Sequence, residues 1–456
     1  MRLAYVLFAA TIVAGCGDGQ DPLAQNQDPL AQNNDPCSVN IQLQAVHAIM
    51  EEWYFFNDEP AQQQKYANLD INDYTSAEAL LNFLRFDPGR FDRGFSFITT
   101  AAGDEQFFGE GQFVGFGFGS KFVDPPFNTD LRLTQIFAGS PAAVATFQRG
   151  QRILQINGRT IAEINSAEGV SAALGANTEG LTRTFFMRPP SGADFQASLA
   201  KALVTIDPVP LTTIFDIAGT KVGYVDFRTF VSTADGALEQ AFENFEAQGV
   251  SALVIDVRYN GGGLVSTAKL LADLIGGAIA NNRVLSRKRF NSDKSALNSL
   301  ELFQQRTGSL TLLQQIVFIT TASSASASEL VINALLPHTV LTLVGGTTFG
   351  KPVGQSAFGY CDNEFLLRPV TFEAVNALFE GQYYDGIRAT CDVADELEFV
   401  LGDPAEASLA AALSYIENGT CGAVAFKSKL AAPLLQYRDI PRAFGAPAVE
   451  RMLGAD

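Results

Sequence analysis

Histidine is nearly missing from this chain: among 456 residues there are two, His47 and His338. A hydrolase built on a serine and an imidazole base needs a well-placed histidine, and neither of these is. His338 falls at the end of an expected helix, before the run Val340-Leu341-Thr342-Leu343-Val344. Close cysteine pairs of the CxxC kind are also absent, and with so few histidines the chain has no metal-ligand spacing, so no metal is expected. Neither GxxxxGK[ST] nor GxGxxG occurs, which argues against a nucleotide cradle. Charged residues make up only 18%, and acidic ones prevail to a net charge of −18, which disfavours nucleic acid as a partner. With 47% hydrophobic residues, the chain is long enough to bury more than one core.

Serine, lysine and glycine cluster where histidine is missing. Ser324-Ala325-Ser326-Ala327-Ser328-Glu329 lies between an expected buried strand, Ile316-Val317-Phe318-Ile319, and an expected helix, Glu329 to Leu336. Lys351 follows beyond the next expected strand, in Phe349-Gly350-Lys351. A lysine stripped of water becomes a usable base, because desolvation disfavours the ammonium form. By chemistry alone, any of Ser324, Ser326 and Ser328 is a candidate nucleophile. Upstream, the apolar strand Ala252-Leu253-Val254-Ile255 runs into Asp256-Val257-Arg258-Tyr259-Asn260-Gly261-Gly262-Gly263. Glycines in such a turn let backbone N–H groups converge on one point, where they can stabilise an oxyanion. Asp256 and Arg258, at the end of a buried strand, are expected to pair with other charges.

These motifs resemble the active-site signature of the carboxyl-terminal processing peptidases, also called tail-specific proteases. The resemblance spans about residues 40 to 420 and selects Ser326 as nucleophile and Lys351 as base. It implies that Gln355 orients the lysine, and that Gly261 or Gly262 forms an oxyanion hole with the amide of Ala327. Pro352 stands where relatives usually carry glycine. The stretch around Gly115-Phe116-Gly117-Phe118, with Ser140-Pro141-Ala142 and the hairpin signal Asn157-Gly158, looks like a PDZ domain. That domain is expected to receive a substrate's C-terminal carboxylate on the Gly-Phe-Gly-Phe turn, with the peptide adding as a strand. Gln151 replaces a common aspartate there, and Ala389-Thr390-Cys391 replaces the usual ending after Asp385-Gly386-Ile387.

The expected architecture is α/β: a crotonase-like ββα superhelix core with a PDZ-like β domain and a small N-terminal helical segment. Its divisions are a lipoprotein signal at 1–15, a tether with a heptad repeat at 16–37, the helical segment at 38–104, the PDZ-like domain at 105–206, the Ser/Lys peptidase core at 207–424 and an extension at 425–456. Arg2, the apolar run Leu3 to Ile12 and Val13-Ala14-Gly15-Cys16 resemble a bacterial lipoprotein signal, with lipidation of Cys16. Gly17 after that cysteine favours the outer membrane, facing the periplasm. The near copies Asp21-Pro22-Leu23-Ala24-Gln25-Asn26-Gln27 and Asp28-Pro29-Leu30-Ala31-Gln32-Asn33-Asn34 read as a flexible spacer.

Four cysteines then remain for disulfides, which such a compartment permits. Of three pairings, Cys361 with Cys391 is expected, since they flank the expected strands around Phe365 to Val370. Cys37 and Cys421 are left for each other. The expected function is a serine endopeptidase that cuts polypeptides bearing free C-termini. It needs no cofactor, and an adaptor protein is a conceivable partner. The alternative is a catalytically silent peptide-binding lipoprotein on the same fold.

Overall fold

The computed structural model describes residues 37–422. The expected signal, Cys16, nearly all of the tether and the C-terminal extension therefore lie outside the described residues. Among the described residues, no helix is long and apolar enough to cross a membrane.

A six-stranded sheet forms the centre of the molecule. Leu211–Ile217 pairs antiparallel with Thr220–Asp226, and Ala252–Asp256, Gln315–Thr320, Leu341–Gly345 and Cys391–Asp392 then follow in parallel register. All five residues of Ala252–Asp256 are buried, as expected for a strand covered on both faces. Successive side chains point to opposite faces, and the packing follows that alternation. Leu253, Ile255, Ile316, Phe318 and Leu343 pack with the helices Ala234–Gln248, Val265–Ala280 and Ala327–Leu335. Ala252, Val254, Val317, Ile319 and Val344 pack with the helix Ala407–Asn418 on the other face.

A second β unit runs in the order Phe118–Phe122, Leu131–Ile136, Arg152–Ile156, Thr182–Arg188 and Phe195–Ala200, with Arg159–Thr160 paired beside it. It has its own core around Leu133, Ile153, Ile156, Phe185 and Met187. Lys121 and Arg149 of this unit both pair with Asp395, and Tyr259 donates to the same carboxylate at 2.7 Å. An ionic joint thus ties the β unit to the central sheet.

The N-terminal segment is helical at Val39–Trp53, Pro60–Ala67 and Ala77–Leu84, and buries Val46 and Met50 as the periodicity predicts. It packs on the hairpin Phe358–Tyr360/Phe365–Arg368, which also pairs with Phe97–Thr100.

The disulfides differ from the expected pairing. Cys37 bonds Cys361 and Cys391 bonds Cys421, with Cα–Cα separations of 5.0 and 5.5 Å. Cys361 and Cys391 are near in sequence but belong to different sheets. The first sits at the tip of the hairpin under the N-terminal helix, where Trp53 meets Phe358 at 5.0 Å. The second begins the edge strand of the central sheet, close to the end of Ala407–Asn418, which delivers Cys421. Each cysteine thus joins the segment that its own sheet brings near.

Candidate active site

Three adjacent parallel strands end on the same side of the sheet, and the loop after each carries one part of the expected site. Ligand-binding groups commonly gather at the carboxyl ends of such strands. The strand Ala252–Asp256 delivers the glycine loop, Gln315–Thr320 delivers Ser326, and Leu341–Gly345 delivers Lys351. Hydrogen bonds stitch the first two loops together: Ala325 N–H donates to Asn260 O at 3.1 Å, Ser328 Oγ to Asn260 O at 3.0 Å and Ser324 Oγ to Val257 O at 2.7 Å.

Those contacts separate the three serines. Ser324 and Ser328 are 0% and 1% exposed, with hydroxyls committed to backbone carbonyls. Ser326 is partly exposed and caps the helix Ala327–Leu335 at φ +55°, ψ −110°. A non-glycine residue in that region is strained and needs surrounding structure to hold it.

Glu329 supplies that hold, a role that the sequence alone does not assign. Its carboxylate is 0% exposed and accepts four hydrogen bonds. Oε2 takes the amides of Ser326 at 2.9 Å and Lys351 at 2.8 Å, while Oε1 takes the Gly350 amide and the Thr348 hydroxyl, both at 2.6 Å. Burial raises this carboxyl's pKa above the ordinary value, and the four donors oppose the rise by favouring the charged form. The signal in the sequence is the glutamate three residues after a helix-capping serine.

Lys351 is 9% exposed, and its Nζ lies 5.3 Å from the centre of the Phe95 ring. Gln355 reaches the same residue, its Nε2 donating to Phe95 O at 2.7 Å. Arg93 donates to the carbonyls of Phe349 at 2.8 Å and Gly350 at 2.6 Å, directly before the lysine. The N-terminal segment is therefore a wall of the lysine site, whereas its sequence marks it only as a preceding helical piece.

In the glycine loop, Gly262 makes a close approach to Ser326. It has φ +107°, and a Cβ there would lie 2.8 Å from Ser326 Cβ and 3.0 Å from Ala327 N. Its amide donates to Asn260 Oδ1 at 2.9 Å. Arg258 is buried against Asp256 at 2.7 Å and Glu406 at 2.8 Å, so this pair of motif charges frames the loop. His338 bonds Val284 O at 2.8 Å and sits edge-on to Phe303, away from the serine loop. Among the described residues, no group of three or more His, Cys, Asp or Glu has a metal-holding arrangement.

In the β unit, Gly115 ends a short strand and Phe118 begins the edge strand Phe118–Phe122. The carbonyls of Phe116 and Gly117 accept from Ala142 N and Phe137 N at 2.9 and 3.0 Å. Peptide planarity then turns the N–H groups of Gly117 and Phe118 away from that loop.

The fold is that of solved S41 proteases. A putative S41 protease from Bacteroides fragilis superposes with a TM-score of 0.63 at 24% identity, covering 82% of this chain and 97% of that one. The photosystem II D1 C-terminal processing protease gives 0.51 at 20%, covering 78% and 94%. Residues 221–377, which hold all three site loops, match the family model of Peptidase family S41. Relatives carry the name that the motifs suggested. The chloroplastic C-terminal processing peptidase of Tetradesmus obliquus is 27% identical over 238 residues, 49% of this chain and 48% of that protein. The carboxyl-terminal-processing protease of Synechocystis is 26% identical over 325 residues, 68% and 70% of the two chains. The resemblance to carboxyl-terminal processing peptidases is thus borne out, although the chain spans only about half the length of several relatives that it matches.

Proposed function

We infer that this chain is a serine endopeptidase of the C-terminal processing type. The observation that carries this reading is the single carboxylate oxygen of Glu329 shared by the amides of Ser326, the partly exposed and strained serine, and Lys351. Ser326 Oγ attacks the scissile carbonyl carbon, and neutral Lys351 takes the hydroxyl proton. The C–N bond then breaks as the lysine returns that proton to the leaving amine, and water releases the acyl group by the reverse sequence. Gln355 orients the lysine. The oxyanion sits between the Ala327 amide and the glycine loop, at Gly261 or Gly262. Accepting it at Gly262 requires the amide to leave Asn260 or be shared with it.

The core is read as a crotonase-like superhelix and the β unit as a PDZ domain. A substrate's C-terminal strand adds to the edge strand Phe118–Phe122, its carboxylate at the Gly115 to Phe118 turn. The chain is read as lipidated at Cys16 and held at the cell envelope, in the outer membrane facing the periplasm. Its partners are polypeptides with free C-termini, and an adaptor protein is an open place in the scheme. No cofactor enters any step.

The test is incubation of the purified full chain with an unfolded protein ending in apolar residues, beside Ser326→Ala and Lys351→Ala, followed by mass spectrometry across pH. Cleavage abolished in both variants supports the Ser/Lys reading. Measurable binding of substrate with no cleavage by the parent protein supports the silent binding protein instead.

A further inference from the structure

We propose that Arg93 is a positioning residue for the lysine base: its guanidinium clamps the loop leading into Lys351 and, as a permanent cation facing the same aromatic ring, favours the neutral amine. This rests on the Ser/Lys reading above, and it adds a residue from outside the matched segment 221–377.

The geometry has two parts. One nitrogen of Arg93 donates to the carbonyls of Phe349, Gly350 and, at 3.3 Å, Tyr384, so three carbonyls from two loops converge on one guanidinium. Arg93 also stacks on Phe349 at 4.5 Å, which fixes its plane against the lysine loop. The second part is Phe95. The Arg93 guanidinium carbon lies 5.5 Å from the centre of that ring and Lys351 Nζ lies 5.3 Å from it. The ring face attracts each cation, whereas two cations drawn to one ring, beside a loop with little exposure to water, repel each other, and that repulsion disfavours protonation of the weaker base. Arginine keeps its proton at any working pH, so the lysine is the group that yields.

Other charged and titratable groups lie around the lysine loop. Glu329 faces it from the serine helix and acts in the opposite sense, favouring the ammonium, while its charge is spread over four donors. Tyr383 and Tyr384 come from the loop before Gly386, both with hydroxyls raised above the ordinary range by burial. Asp92, next to Arg93, is taken up by Tyr54 and Ser96 at 2.7 and 2.6 Å. Glu373, on the strand opposite Val353, is held by Arg289 at 2.9 Å. Arg93 thus acts against Glu329 at the amine.

The decisive experiment measures the pKa of Lys351 directly. The full chain is exposed briefly to an amine-acetylating reagent at a series of pH values, and modification at Lys351 is read by peptide mapping in the parent, Arg93→Gln and Arg93→Lys. Loss of the cation in Arg93→Gln is expected to raise the lysine pKa by about one unit, so reactivity near neutral pH drops about tenfold and recovers in alkali. Arg93→Lys keeps the charge and should stay close to the parent. An unchanged titration in Arg93→Gln, or the same displacement in both variants, overturns the proposal. Because the readout is the amine, it does not depend on turnover. Ser326→Ala, assayed for cleavage, separately decides the peptidase reading. If melting curves show that Arg93→Gln has lost its fold, Arg93→Lys decides: a lysine titration like the parent's supports the proposal, and a displaced one overturns it.

Discussion

The backbone amides of Ser326 and Lys351 donate to one and the same oxygen, Oε2 of Glu329, at 2.9 and 2.8 Å. Two loops from different strands are thereby held at a fixed separation by a buried carboxylate. Its other oxygen secures Gly350 and Thr348, and Thr348 Oγ1 in turn accepts from Ile387 N at 2.7 Å. Unpaired buried donors are costly, so this arrangement has one well-defined geometry.

Replacing Glu329 with Gln puts an NH2 group against two of the four donors. We expect kcat to fall by roughly a hundredfold with KM little changed, and stability to drop by about 2–4 kcal/mol. Thr348→Val removes one donor and should move both quantities the same way by a smaller amount. Steady-state kinetics with denaturant melts checks this; unaltered kcat in a folded Glu329→Gln protein would show that the carboxylate does not set the site.

Gly262→Ala introduces a methyl group 2.8 Å from Ser326 Cβ, at a φ of +107°, which alanine rarely adopts. Activity should drop by a factor of about 100 or more, given that an oxyanion donor alone is worth about 3–4 kcal/mol. Labelling of Ser326 by a fluorophosphonate should slow in parallel. Gly236→Ala, at a helical position with open space around it, is the control that should leave both unchanged.

Asp226 sits at the joint between the β unit and the core, beside Gln135, Arg228 and Arg258. Burial pushes its carboxyl from 3.8 up to about 6, against the pull of Arg228. A folded-state value above the unfolded one means that the native protein binds the proton more tightly. This group's contribution to stability is therefore fully present below about pH 4 and is lost as pH rises through about 6. The displacement corresponds to roughly 3 kcal/mol at most. Asp226→Asn should flatten that slope and raise the melting temperature at about pH 8. A steeper pH dependence in the variant would contradict the assignment.

Asp395 shows the opposite sense. Burial alone would raise its pKa, but Lys121, Arg258 and Arg149 hold it well below the usual carboxylate range. Its stabilisation is present above the unfolded value and is lost as pH falls. Asp395→Asn takes the carboxylate partner from half-buried Lys121 and from Arg149, and one of three from buried Arg258, and should cost about 3–5 kcal/mol. Urea titration near neutral pH measures the loss, and limited proteolysis between residues 200 and 210 should report loosening of the β unit.

Much of the site was legible in the order of residues. The apolar runs at 252–256, 316–319 and 340–344 form parallel strands because continuous burial suits a two-faced sheet, and each ends in the loop that its small residues allow. The boundaries moved modestly: the helix expected from Glu329 starts at Ala327, and that expected over Leu264 to Ile275 runs Val265–Ala280. Ser326 and Lys351 fall in adjacent loops because a turn motif and a strand period are set by neighbours a few residues apart.

What the sequence by itself determined, then, was the chemistry available and the strand order that delivers it. Packing decided the rest. Hydroxyls that are equivalent by chemistry alone in Ser324, Ser326 and Ser328 became physically distinct when two of them met the carbonyls of Val257 and Asn260. Cysteines near in sequence, Cys361 and Cys391, were sent to different sheets and took partners 324 and 30 residues away. Arg93 reached the lysine loop across 256 residues of chain. Such contacts carry no local signal, since they arise from where whole elements dock, and that is fixed by burial summed over many side chains rather than by any short pattern.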